Sequence, residues 1–381
     1  MNTAKFRIPQ EIIEREHAHG DKAWILGLDV GFSSLKGFCP NKYFTVPSYV
    51  SKLNSMLATV TEDDIYFQDE TGLYLVGISA LRQVIDDDTS DSDAEIFSRN
   101  RYGSKKFRIM VAVGLAIGLM SNQYGEYVQG MPIKVQTGLP TAYLTPKDIT
   151  AIKKAFSQKY NFQIKIGKKD WESFSIEVPE DNISVMAQPS GTLYSILMDR
   201  NGKSIPEATK ILCSNIIIVD AGFGTFDPYA FIDRKLVIKE SIPDMGMLRV
   251  LRETSKLFSA ACGEDVRVSA MQKYLEKGYK DCVDEETMNS RSVYVSEYLK
   301  EANKKVCMES IEIIKQITNY LRGYDVLVLT GGTGAAWFDI YKDYFKGMKN
   351  LQVIPGNKND GISMHYANAR GYYMLLRSTI V

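Results

Sequence analysis

The sequence predicts an α/β protein made of two similarly organised halves, and three observations carry that expectation. The apolar run 23–30 ends in Asp29-Val-Gly-Phe-Ser-Ser34 and is followed by two short strand-like runs, 35–39 and 43–46. The apolar run 216–219 ends in Asp220-Ala-Gly-Phe-Gly-Thr225 and is again followed by two strand-like runs, 226–232 and 235–239. A third buried-looking run, 325–329, leads into Thr330-Gly-Gly-Thr-Gly334. Strand–turn–strand units that recur with helices between them suggest a duplicated architecture.

Each element has a local reason. Pro40-Asn41 breaks the first strand pair, and Asp69-Glu-Thr-Gly72 between 65–67 and 73–76 signals a hairpin. The stretch 86–95 (DDDTSDSDAE) carries six acids and no base and is expected to be a solvated loop. A buried helix is expected over 105–120, and an amphipathic one over 146–160, with Pro146 in its first turn. Strands are expected at 132–137, 162–166, 174–178 and 183–187. Gln188-Pro189-Ser190-Gly191 then opens a helix to about Met198. Helices are expected over most of 247–320, a strand at 349–354 and a closing helix over 363–376.

The 381 residues suffice for two or three domains with ordinary cores. Lys+Arg and Asp+Glu both number 46, so no surface-wide basic field is available for wrapping nucleic acid. Five scattered cysteines (Cys39, Cys213, Cys262, Cys282, Cys307) read as buried thiols in a reducing compartment. Three histidines (His17, His19, His365) make a histidine-based metal site or triad improbable. The first 22 residues lack the apolar core of a signal peptide, and the run 109–120 is too short to span a bilayer. A cytoplasmic protein is expected.

Chemistry concentrates in the glycine-rich strand ends. An aspartate at the end of a buried strand lies at the mouth of a sheet, where α/β proteins place ligands. Gly31 permits a tight turn whose amides can face an anion, Ser33 and Ser34 add hydroxyls, and Lys36 offers a point charge to a phosphate. Asp29 would repel phosphate and would act through Mg²⁺ and its waters. Gly222, Gly224 and Thr225 repeat the design, with Asp220 and Asp227 read as carboxylates two strands apart. One Asp-x-Gly at a strand end is commonly a plain turn. Two of them, roughly 190 residues apart and each closing an apolar strand, are harder to obtain by chance. At 331–334 the glycines leave room for backbone to lie against a nucleoside, or make a loose strand-to-helix turn. Neither a P-loop nor a Rossmann fingerprint occurs.

The trio DVGFSSLK, DAGFGTFD and TGGTGAA resembles phosphate loop 1, phosphate loop 2 and the adenosine loop of the actin-like ATPase superfamily. QTGLP (136–140), MAQPSGTLYSIL (186–197), HYANARGYYML (365–375) and YLVGISALR (74–82) are similar to its connecting elements, most of all in ParM-type plasmid-segregating actins. The resemblance implies an actin-like ATPase fold, two ribonuclease-H-like domains around a nucleotide cleft. It divides the chain into an arm, 1–22, a first domain, 23–187 plus 364–381 (with an insert at about 40–100), and a second, 188–363 (with a helical insert at about 241–320).

It also implies roles. ATP or GTP with Mg²⁺ would be held by Asp29, Gly31, Ser33, Ser34, Lys36, Gly222, Gly224, Thr225, Gly331, Gly332, Thr333 and Gly334. Asp29 and Asp220 would hold the metal through water, and Gln188, Asp220 and Asp227 would be catalytic. Gln188 stands where many ParM-type members have glutamate, so water positioning is implied rather than strong-base chemistry. Head-to-tail filaments are implied, linked to plasmid DNA by an adaptor at a centromere, without direct nucleic-acid or membrane contact. Zero net charge suits subunits that stack on copies of themselves. A small-molecule kinase of the same superfamily, or a nucleotide-binding adaptor that forms no filament, is the alternative.

Overall fold

Two sheets of matching strand order organise the chain, each inside its own unit. The computed structural model describes residues 3–16, 22–83, 101–284 and 286–380. His17, His19 and the acidic stretch 86–95 lie outside the described residues. Of the described residues, 9–16, 22–83, 101–211 and 356–380 form one unit, and 3–8, 212–284 and 286–355 form the other. The division differs from the expected one at four places, the first being that residues 3–8 of the expected arm join the second unit. Residues 9–16 join the first unit, 188–211 stay with it, and 356–363 return to it.

The first unit contains β1 (Glu11–Glu14), β2 (Trp24–Val30), β3 (Ser34–Phe38), β4 (Lys42–Pro47), β5 (Val50–Leu53), β6 (Ile65–Asp69), β7 (Gly72–Val76), β8 (Ile133–Leu139), β9 (Tyr160–Ile166), β10 (Glu172–Ile176) and β11 (Ile183–Ala187). Its main sheet runs β1-β4-β3-β2-β8-β11. The β2–β8 and β8–β11 pairs are parallel and the others antiparallel. Every residue of β2 is buried, which explains the apolar run that leads up to Asp29. The arm expected at 1–22 is in part the edge strand β1, with Glu14 opposite Lys42. A second sheet, β10-β9-β6-β7-β5, is antiparallel throughout.

The helix Lys105–Leu119 starts where Ser104 accepts from the Phe107 amide and is buried along most of its length, as expected. The helix Pro146–Ser157 stops short of the expected Tyr160. That residue opens β9, where Tyr160, Phe162 and Ile164 face inward and Asn161 and Gln163 outward.

The second unit contains β12 (Ile216–Ala221), β13 (Thr225–Ile232), β14 (Lys235–Lys239), β15 (Ile242–Pro243), β16 (Tyr279–Val283), β17 (Ser290–Tyr294), β18 (Val326–Thr330) and β19 (Gln352–Pro355). Its main sheet runs β14-β13-β12-β18-β19. The two pairs on the β14 side are antiparallel and the two on the β19 side parallel. This is the order and polarity of β4-β3-β2-β8-β11, so the duplication read from the sequence is a duplication of the sheet. The expected helical stretch holds Met247–Cys262, Met271–Lys277 and Val295–Ile317, but β16 and β17 interrupt it as a hairpin. Four cysteines are buried as expected. Cys213, at the end of the short helix Ala208–Cys213, is exposed.

Two helices of the first unit, Gln188–Leu197 and Ala367–Ile380, meet along glycines. A Cβ on Gly371 would overlap the Gly191 carbonyl, and one on Gly191 would lie 2.5 Å from the Tyr372 ring. The far end of Gln188–Leu197 is capped by side chains. Asn359 Nδ2 donates to the Ser195, Ile196 and Met198 carbonyls at 3.1, 2.8 and 2.9 Å. The buried Arg370 donates to Ser195 and Met198 carbonyls and to both oxygens of Asp360. Carbonyls that a helix end leaves without partners are thereby satisfied. Replacing Gly371 by Ala forces the two backbones apart. It should cost about 1–3 kcal/mol or more, read as a lower urea midpoint in equilibrium unfolding.

Candidate functional site

Each unit carries one tight loop at the end of its central strand, and the two loops are built alike. In the first, Asp29 on β2 lies opposite Lys36 on β3. The Gly31 amide closes the turn onto the Ser34 carbonyl at 3.0 Å. In the second, Asp220 on β12 lies opposite Asp227 on β13, and the Gly222 amide closes onto the Thr225 carbonyl at 2.9 Å. The two acids of the second loop, read from sequence as two strands apart, are therefore direct neighbours on adjacent strands. A tight turn closed this way brings residues seven apart face to face.

The carbonyls of both loops are committed to the fold. Around the first, Val30 accepts from Arg101 at 2.7 Å, Gly31 from the Ser48 hydroxyl at 3.2 Å and Ser33 from the Ser48 amide at 2.9 Å. Around the second, Gly222 accepts from the Thr333 hydroxyl at 2.6 Å, Phe223 from the Leu248 amide at 2.8 Å and Gly224 from the Asp244 amide at 3.0 Å. A loop whose negative ends are turned into the protein suits an anion on its other side.

The side chains at the two loops differ in charge. Asp29 is 4% exposed. The Lys36 ammonium stands 3.7 Å from one of its oxygens, and Gln188 Nε2 donates to the other at 2.9 Å. Gln188 thus sits in the first unit beside Asp29, at the start of its helix, and not in the second domain. Asp227 is 1% exposed and accepts from the Thr225 hydroxyl at 2.8 Å. Burial, and then the charge of Asp220, push its carboxyl up to about 7, against the hydroxyls of Ser241 and Thr225, which favour the charged form.

The third glycine run belongs to the second unit as well. Asp220 is paired with Thr330 across the parallel β12–β18 strands. Gly331 has φ of +84° and already begins a helix, Gly331–Phe345, so Gly332, Thr333 and Gly334 form its first turn rather than a flat loop. A Cβ at Gly331 would overlap the Ala221 carbonyl and lie 2.6 Å from Asp220 Oδ1.

Asp29, Gly31, Ser33, Ser34, Lys36 and Gln188 thus gather in one unit. Asp220, Gly222, Gly224, Thr225, Asp227, Gly331, Gly332, Thr333 and Gly334 gather in the other. Arg101, buried against Val30 and Phe32, was missed, because a lone arginine ahead of an apolar helix carries no sequence signal. Among the described residues no group of three or more His, Cys, Asp or Glu could hold a metal ion. That does not bar Mg²⁺, which keeps most of its waters and needs one or two carboxylates. The partly paired acids at the strand ends fit that demand.

Comparison with known proteins places the fold. Residues 27–191 match the model of the actin-like protein N-terminal domain. Among solved structures, a non-polymerisable quadruple mutant of pCBH ParM superposes with a TM-score of 0.71 at 20% identity, covering 93% of this chain and 99% of that one. A 15-stranded ParM filament from Clostridium botulinum gives 0.67 at 18%, covering 94% and 99%. An archaeal actin homolog in complex with ADP gives 0.61 at 16%, covering 92% and 97%. Curated proteins yield no significant match. The chain has the actin-like fold. Among the described residues no helix is long and apolar enough to cross a membrane.

A raised carboxyl makes stability fall as pH rises, because the folded state binds a proton that the unfolded one has released. For Asp227 the loss develops between about 4, where an unfolded carboxyl titrates, and about 7. Asp227→Asn should therefore gain stability over wild type at pH 8 and lose that advantage as pH approaches 4. Urea unfolding across this range, without nucleotide, measures the gap.

Proposed function

We propose that this actin-like chain is a nucleotide-dependent filament protein. It hydrolyses ATP or GTP with Mg²⁺ and moves or segregates plasmid DNA through an adaptor protein. The observation that carries the nucleotide reading is the doubled loop: two turns of the same closure, each with its carbonyls engaged and an aspartate at the same register. The archaeal homolog solved with ADP supports it. The ParM filament supports self-assembly, as does a filament of Alp12 that superposes with a TM-score of 0.59 at 15% identity, covering 94% of this chain and 100% of that one.

In this reading each loop offers amides and hydroxyls to phosphate oxygens, and Lys36 supplies a positive charge to them. Asp29 and Asp220 are the carboxylates that would hold the water shell of Mg²⁺, and the ion, when bound, neutralises phosphate charge. Gln188 commits its Nε2 to Asp29, so its Oε1 is the atom that accepts a hydrogen bond from the attacking water and orients it. Asp227, opposite Asp220 on the adjacent strand, is the carboxylate placed to polarise that water or to hold the metal's water shell. Copies joined by one repeated head-to-tail contact give a filament when the rotation does not close.

Light scattering and sedimentation at high micromolar concentration test assembly. Polymer should form with Mg²⁺ and ATP or GTP, and a protein that stays monomeric with both fails the filament reading. Gln188→Ala should still assemble, while phosphate release slows on the order of tenfold or more, the scale of one lost positioning hydrogen bond. Unchanged turnover removes Gln188 from the mechanism.

A further inference from the structure

Arg101 is buried to 6% exposure at the foot of the first loop. Its Nη2 donates to the Val30 carbonyl at 2.7 Å, and its guanidinium lies 4.2 Å from the centroid of the Phe32 ring. Val30 and Phe32 flank Gly31, so one side chain grips the loop on both sides of its turning residue. The rings of Tyr102 and Phe107 enclose the guanidinium at 5.5 and 5.4 Å. Among the described residues no carboxylate reaches it within ion-pair distance; Tyr102 acts on its charge first, and Asp29 and Tyr143 after it. Arginine keeps its charge even when buried. A buried cation is costly to take out of water, and a polyanion bound over the loop relieves that cost.

We propose that Arg101 is the positioning residue of the first loop. It fixes Val30 and Phe32 in the shape that presents amides to phosphate and supplies a buried positive charge beneath it. The proposal rests on the nucleotide reading of the loop. The fork matters as well as the charge, because a hydrogen bond to a carbonyl and a stack on a ring are both asked of one group.

The test compares ligands of different charge by titration calorimetry. The ligands are the triphosphate that wild type binds tighter of ATP and GTP, its diphosphate, and its nucleoside. Arg101→Met should weaken the triphosphate and diphosphate about tenfold or more, the effect of one charge-assisted contact. The nucleoside, which carries no phosphate, should bind as before. Arg101→Lys, which keeps the cation and loses the fork, should recover part of the triphosphate affinity. Unchanged triphosphate affinity in Arg101→Met overturns the proposal. So does equal weakening of nucleoside and triphosphate, which marks a general loss of structure. Should Arg101→Met not fold, Phe32→Leu takes its place with the same two outcomes, since it removes the stacked ring alone. Wild-type protein that binds none of the ligands would instead remove the nucleotide reading, whatever Arg101 does.

Discussion

A single backbone hydrogen bond, made once in each unit, sets the geometry on which the rest depends. A glycine amide closes onto the carbonyl three residues ahead, Gly31 onto Ser34 and Gly222 onto Thr225. The closure reverses the central strand at once and fixes the antiparallel register. The register puts Asp29 against Lys36 and Asp220 against Asp227. The turned-in carbonyls then find partners on neighbouring elements: Arg101 and Ser48 around one loop, Thr333, Asp244 and Leu248 around the other. Remote segments are thereby tied to the two turns.

The same scaffold carries opposite electrostatics in its two copies. The first loop pairs its aspartate with a cation and an amide. The second pairs it with another carboxylate, which burial keeps close to neutral. Two carboxyls this close resist being charged together unless a cation joins them. The second loop therefore suits a ligand that brings a cation with it, while the first already holds one in Lys36.

Much of this was legible because it is local. Apolar strands ending in Asp-x-Gly, the glycine run at 331–334 and Pro146 in the first turn of its helix are all written within a few residues. Other features are decided at a distance. Glu11–Glu14 is too short and too charged to announce a strand, and it becomes one only because β4 offers a free edge. The β16–β17 hairpin lies in a stretch whose composition reads as helical. Gln188 was placed in the wrong half because chain order suggested a boundary there, whereas the glycine contact with Ala367–Ile380 keeps its helix in the first unit. Arg101 is visible only once Val30 and Phe32 have been folded onto it.

The glycine seam has a consequence for the order in which the chain can mature. The helix Ala367–Ile380 lies against β2 as well as Gln188–Leu197: a Cβ on Gly27 would overlap the Ala369 carbonyl, and one on Gly138 the Tyr372 hydroxyl. Those partners leave the ribosome early and this helix leaves it late, with the whole of 212–355 made in between. The first loop and Gln188 therefore rest on a wall that is complete only once a segment translated after 212–355 has docked on it.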